Sequence, residues 1–183
     1  MKFVGEDGVA AYGIIMYVNL IFQSIFIGYS VGTSSIVSYH FGAKNSKELK
    51  NLMKKSFAII SISAISMFLS AEIFSRPLTM IFVSYDENLL NLTIHAFRIY
   101  SFSFLLSGFT LFISAFFTAL NDGITSAIIS FLHLMIFETS AVLILPHIFG
   151  VDGIWISVTV AEVFAVTISA ILLVKNRRKY KYF

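Results

Sequence analysis

Three ionisable side chains stand in stretches that otherwise carry almost no charge: Arg98, Glu138 and Glu162. An ionised group at the centre of a bilayer costs about 2.5–3.5 kcal/mol on insertion scales, so each needs a counter-charge, water or a proton. Burial and a neighbouring guanidinium act on a carboxylate in opposite senses, and a group balanced between them can take up and release a proton near neutral pH. Such a cluster could load a proton or cation on one side of a membrane and discharge it on the other. The same residues could also form a static ion-pair network that ties helices together. Asn19 and Gln23, four residues apart, share a helix face and could hydrogen-bond a bound molecule; a bond to a neighbouring helix, at about 0.6 kcal/mol, would use them equally well. Tyr29, with Tyr12, Tyr17, Phe22, Phe102, Phe104, Phe109, Phe112, Phe116 and Phe117, could line a cavity for an aromatic or cationic compound through ring faces. Rings at that density also serve as core or lipid-facing surface. His40 and His133 are isolated in sequence and read as packing residues.

These residues need elements that hold them in apolar surroundings, and composition supplies them. Of 183 residues, 57% are hydrophobic and only 13% charged, against about 45–50% and 25% in ordinary soluble domains. The fold class is therefore all-α integral membrane, because backbone groups in lipid must be bonded within their own segment. A crossing takes about 20 apolar residues, and five segments qualify: 9–39, 56–75, 89–120, 125–145 and 154–174. Their apolar runs are continuous and lack the alternation of a membrane β-barrel. There is no cysteine, hence no disulfide or thiolate metal site. No glycine-rich phosphate loop, paired-histidine metal motif or nucleophile elbow is present, so neither a cofactor nor an enzymatic activity is expected. Asn91-Leu92-Thr93 matches a glycosylation acceptor but falls at a span entrance.

The net charge of +3 does not point to a nucleic acid, because the basic residues are concentrated rather than spread over a face. Five lie between Lys44 and Lys55 and five between Lys175 and Lys181, in a tail covering 175–183. Cytoplasmic loops collect Lys and Arg, and four crossings separate the two clusters. Both are therefore expected inside, with a cytoplasmic C-terminus in the plasma membrane. In that orientation Arg98, Glu138 and Glu162 fall in one layer, about 10–14 Å below the outer surface at about 1.5 Å per residue. Glu72 and His95 lie shallower, and His133 belongs to the inner half.

Local signals refine the boundaries. The first run is uncharged to Tyr39, and Gly28 and Gly32 are the expected bend. Asn45 with Glu48 reads as an N-cap; the basic stretch after it, with Leu49, Leu52, Met53 and Phe57 on one face, should lie along the membrane surface. Pro77 should open a short segment ending at Tyr85, Asn121-Asp122-Gly123 a tight turn, and Pro146 should stop the fourth span. Met1 to Gly8 is polar, with no signal peptide to export it.

From Gly5 onward the chain resembles the C-terminal lobe of multidrug and toxic compound extrusion (MATE) transporters. The resemblance rests on Gly5-Glu6-Asp7-Gly8-Val9-Ala10-Ala11-Tyr12-Gly13, Ile27-Gly28-Tyr29-Ser30-Val31-Gly32 and Tyr39-His40-Phe41-Gly42-Ala43-Lys44-Asn45 around the first helix. Ala115-Phe116-Phe117-Thr118-Ala119-Leu120-Asn121 and Phe149-Gly150-Val151-Asp152-Gly153-Ile154-Trp155 are similar to segments around the family's tenth and twelfth helices.

The resemblance implies helices eight to twelve of twelve, a partial MATE-type lobe whose missing N-terminal lobe would complete a central cavity. On that basis the chain is expected to be a fragment, inactive alone, of an antiporter that moves a small amphipathic or cationic substrate outward against H+ or Na+. Some members hold sodium with acids on helices seven and ten. Here the tenth helix offers His95 and Arg98 and no acid, which disfavours sodium in this lobe. The alternatives are a lipid-linked oligosaccharide flippase of the same superfamily, which would want a more cationic cavity, and a non-transporting membrane assembly protein.

Overall fold

A computed structural model describes residues 5–84 and 86–182, all of whose regular structure is helical. Met1 to Val4, Tyr85 and Phe183 lie outside the described residues, and with them the start of the polar N-terminus, the expected end of the Pro77 segment and the tip of the tail. Among the described residues four helices are long and apolar enough to cross a membrane, and a bent pair, counted as one span, gives a fifth.

The first helix, α1 (Gly5–Gly42), stays continuous through Gly28 and Gly32, with no break at the expected bend. Glycine permits a kink without forcing one. Here the hydroxyls of Thr33 and Ser34 bond back to the carbonyls of Tyr29 and Ser30, each at 2.7 Å. Lys44 turns the chain in the left-handed region, and Asn45 caps α2 (Ser46–Ile73) by accepting from the Glu48 amide at 3.2 Å. The basic stretch is thus the first turns of the second span rather than a separate surface helix. Leu49, Met53, Ile60, Ala64, Met67 and Ala71 recur along its buried stripe, the spacing of a helix with one packed face.

A short helix, α3 (Ser75–Met80), carries Pro77 inside its first turn rather than at its start. Asp86 then caps α4 (Glu87–Ser101) by accepting from the amides of Asn88 and Leu89. The third span breaks: α4 and α5 (Phe104–Ala119) meet at 48°. Around Phe102 and Ser103 the backbone bonds tighten to three-residue spacing, Ser103 to Tyr100, Leu105 to Phe102 and Leu106 to Ser103. Ser101 also donates to the Arg98 carbonyl at 2.7 Å. A hydroxyl inserted into the ladder beside a tightened turn is a recognised cause of a sharp kink.

The fourth span begins with α6 (Gly123–Phe131), capped by Asp122, widens into a π-helical turn over Leu132–Glu138, and returns to α7 (Thr139–Phe149). Pro146 does not stop it. A proline removes one donor and displaces one carbonyl, which within a membrane bundle is tolerated. The stop is Gly150, whose φ of 60° an L side chain would resist. Close by, Gly153 lies so near the Leu145 carbonyl and the Pro146 nitrogen that a Cβ could not fit. The last helix, α8 (Asp152–Tyr180), runs beyond residue 174 and takes in most of the basic tail.

α5 lies at the centre, packed against α1, α2, α6 and α8. Phe26 of α1 reaches the backbone at Gly108, where only glycine leaves room for the ring. The outer surface is oily: Tyr17, Leu20, Ile62, Leu143 and Phe164 are all exposed, as expected where the surrounding solvent is hydrocarbon. The two basic clusters lie at one end of the bundle. Lys44, Lys179 and Lys181 line a single cavity of about 200 Å³, and the Tyr180 hydroxyl donates to Asp122 at 2.6 Å in the turn between the third and fourth spans. His95 and Asp152, 2.9 Å apart, mark the opposite end.

Candidate functional site

Arg98, Glu138 and Glu162 do not form one cluster. Arg98, on the last turn of α4, extends to the rim, with its Nε 3.9 Å from Glu72 and 3.3 Å from the Ser75 hydroxyl. Glu72 also accepts from Ser101 at 2.7 Å. Arg98 therefore has partners other than the two carboxylates, because a common depth fixes height along the bundle and leaves direction around each helix open.

The two carboxylates stay together and acquire a partner that the sequence had assigned to packing. His133 Nε2 lies 3.3 Å from Glu162 Oε1, and the Thr110 hydroxyl donates to Glu162 Oε2 at 3.3 Å. Only 5% of the Glu162 side chain and 16% of that of His133 is exposed. Glu138 is within electrostatic range of both.

The π-helical turn makes this grouping possible. On an α-helix, residues five apart point about 140° away from each other at about 100° per residue. Bonding at five-residue spacing stacks residues i and i+5 instead, and the Thr139 hydroxyl, donating to the Leu134 carbonyl at 3.1 Å, follows that spacing. His133 and Glu138 thereby share one side, facing α8. Tyr100 of α4 and Tyr12 of α1 complete the ring of titratable groups around Glu162 and Glu138.

Asn19 Oδ1 and Gln23 Oε1 are buried with no hydrogen-bond partner among the described residues. Ser103 and Ser107 at the α4–α5 break, and Trp155 Nε1 and Thr159 on α8, are in the same condition. Phe22 of α1 packs on Phe104 with ring centres 5.0 Å apart, and Tyr12 stacks on Trp155 at 6.2 Å. Those contacts join α1 to α5 and to α8, and each of these buried atoms lacks the partner that such groups normally have. Tyr29 differs: its hydroxyl donates to Ser56 at 2.9 Å and its ring lies against Phe112, so it joins α1 to α2 and α5. His40 Nδ1 is buried and unpaired, away from this group.

A buried imidazole and carboxylate in contact can share a proton across the hydrogen bond between them. With a second carboxylate nearby they can hold one proton or two, or exchange a proton for a monovalent cation, inside a bundle surrounded by hydrocarbon. The chain brings acid, base and hydroxyl together, and among the described residues no group of three or more histidine and carboxylate side chains could hold a metal ion.

Comparison with known proteins bears on the family and the fold. The family model described as MatE matches residues 1–142. No curated protein sequence matches the chain. An inward-facing conformation of a multidrug resistance MATE family transporter of the MOP superfamily superposes with a TM-score of 0.88 at 17% identity, over 94% of this chain and 40% of that one. An outward-facing conformation of a multidrug resistance MATE family transporter gives 0.90 at 18%, over 97% and 40%. The Vibrio cholerae MATE transporter VcmN in its bent form gives 0.89 at 18%, over 98% and 41%. At such identities the likeness speaks for the fold, and this chain spans about 40% of the length of each of those transporters.

Proposed function

This chain belongs to the MatE family, whose members are transporters and not enzymes, and from that premise we propose that it forms one lobe of a secondary antiporter that expels small amphipathic or cationic compounds. The observation that carries the reading is the buried His133–Glu162 contact with Glu138 beside it. A membrane bundle that desolvates three such groups has a site whose charge depends on proton occupancy, and the energetic expense of burying them is understandable where a charge must cross. Each elementary charge moving down a 100 mV potential releases about 2.3 kcal/mol, enough to drive uphill export without nucleotide hydrolysis.

Protons are the favoured coupling ion, because the third span holds His95 and Arg98 and the acids cluster instead with a histidine on the fourth and fifth. Asn19, Gln23, Ser107 and Trp155 would serve the substrate, whose polar groups could satisfy their unpaired atoms. A second lobe, in the same polypeptide or another, would close the cavity. The closeness of this fold to both an inward-facing and an outward-facing transporter supports a lobe that rocks as a rigid body in alternating access. The shared end of the two basic clusters supports a cytoplasmic C-terminus in the plasma membrane.

The test is efflux of a fluorescent cationic dye from proteoliposomes holding the complete gene product, with the pH gradient imposed and reversed. Efflux should follow the gradient, and Glu162→Gln should abolish that dependence. A Glu162→Gln variant that pumps with unchanged pH dependence overturns proton coupling through this lobe.

A further inference from the structure

We propose that the groove between α5 and α6 is a water-filled conduit carrying protons between the Asp122 end of the bundle and the Glu162–His133 pair. It rests on the reading of that pair as the coupling site. Four hydroxyls run along the groove in unbroken contact. Thr118 donates to Ser126 at 2.8 Å, Ser126 and Ser114 are 2.9 Å apart, and Ser114 and Ser130 are 3.1 Å apart. The chain of contacts starts one turn from the Asn121-Asp122 turn. It ends where Ser130, His133 and Thr110 line one cavity of about 290 Å³ together with Ser114 and Thr118. Thr110 then donates to Glu162, and His133 touches its other oxygen.

The spacing is built in. Thr110, Ser114 and Thr118 are four apart on α5 and share one face; Ser126 and Ser130 are four apart on α6, and the π-helical turn carries that face on to His133. Thr118 and Ser130 are exposed while Ser114 is half-buried, so the row of hydroxyls lies open along one side. The cavity, lined also by Leu111, Ala115, Ile129 and Leu134, has room for several waters along its hydroxyls. A proton leaving the pair passes to the first water, each oxygen in the file accepting one proton and donating another, so that one proton enters at the pair, one emerges near Asp122, and no hydroxyl keeps a charge. The titratable groups within electrostatic range of Glu162 are His133 and Glu138 from the fourth span and Tyr100 from α4, with Tyr12 of α1 beside Tyr100 and Glu138. Of these, only His133 lines the cavity that holds the hydroxyl file, at the end where it touches Glu162.

The absence of cysteine from the sequence makes the conduit directly measurable. Single cysteines would be placed by Ser130→Cys, Thr118→Cys, His133→Cys, Asn121→Cys in the turn and Leu143→Cys on the oily face. Each would be treated in membranes with a charged methanethiosulfonate reagent. Thr118→Cys and Ser130→Cys should react within about tenfold of Asn121→Cys, and Leu143→Cys at least a hundredfold more slowly. Adding Ser130→Leu as a plug should protect His133→Cys and leave Thr118→Cys reactive. A Ser130→Cys variant as inert as Leu143→Cys overturns the conduit and identifies the hydroxyls as a dry interhelical zipper, while the coupling reading still stands or falls on Glu162→Gln. A reactive groove combined with a Glu162→Gln variant that keeps its pH dependence overturns the coupling reading and the proton cargo with it.

Discussion

Glu162 and His133 meet between α8 and a π-helical turn, 3.3 Å apart, in a bundle whose outer face is hydrocarbon-like. Removing one member of a buried ion pair typically costs about 3–5 kcal/mol, whereas replacing both with apolar groups of similar volume is often neutral or stabilising. His133→Leu alone should therefore lower the melting temperature of the detergent-solubilised protein sharply, and His133→Leu with Glu162→Leu should recover most of the loss. A double variant no more stable than the single one would show that the two side chains are not energetically coupled.

The π-helical turn holds one residue more than an α-helix of the same rise, and that surplus is what aligns His133 with Glu138. Deleting Met135, whose side chain is 65% exposed, should let the turn relax to α. The histidine and glutamate would then be four apart and still on one face. The deletion is expected to keep pH-dependent efflux within about threefold, although it shortens a membrane span. Deleting Val142, also exposed but within the regular part of the span, should abolish it, because every later residue rotates by about 100°. Equal loss in both deletions would mean that the turn does not set the register of the site.

Much of the architecture was legible in the sequence because bilayer thickness and backbone bonding leave few choices. The spans, the Asn45 cap, the Asp122 turn and the common end of the basic clusters all follow from hydropathy, capping chemistry and charge. The site was legible only in part. Glu138 and Glu162 stood out as isolated charges, whereas His133 looked solitary because an α-helical period turns it away from Glu138. No local pattern between Leu132 and Glu138 announces the wider turn; it depends on packing against α8. Likewise Ser101 and Ser103 resemble ordinary small residues until the break between α4 and α5 is seen. Pro146 suggests a stop that α7 does not make, since a neighbouring helix can accommodate a missing donor.

Arg98 illustrates the same limit energetically. With 58% of its side chain exposed and Glu72 3.9 Å away, it forms a rim contact of the kind that contributes about 0–1 kcal/mol. Arg98→Gln should shift the melting temperature little and leave the pH dependence of efflux intact. A collapse of coupling in that variant would place Arg98 with the carboxylates after all.

Two glycines should differ in their tolerance of a methyl group. At Gly108 the obstacle is the ring of Phe26, which can tilt, so Gly108→Ala should cost about 1–3 kcal/mol, as overpacked cores do. At Gly153 the obstacle is the backbone of Leu145 and Pro146, which cannot move without disturbing the turn. Gly153→Ala should therefore be the more damaging by thermal melting, and the reverse order would mean that the turn between α7 and α8 is soft.

The tail clasp at the basic end should respond to acid. Although partial burial of the Asp122 carboxyl opposes ionisation, hydrogen bonds from Tyr180 and Thr125 and the charge of Lys179 outweigh it and hold the group below the usual carboxylate range. A lowered value in the folded chain means that the clasp contributes fully above the unfolded value of about 4 and weakens as pH falls through the folded one. Tyr182, pushed up by burial and by its neighbours Tyr180 and Asp122, stays un-ionised throughout that range. Amide exchange across residues 176–182, corrected for the intrinsic effect of pH, should therefore rise only below about pH 4. Tyr180→Phe removes the 2.6 Å bond to Asp122 and should move the onset to higher pH, whereas Asp122→Asn should give fast exchange at every pH. If exchange in the unaltered protein is flat down to pH 2, Asp122 does not hold the tail.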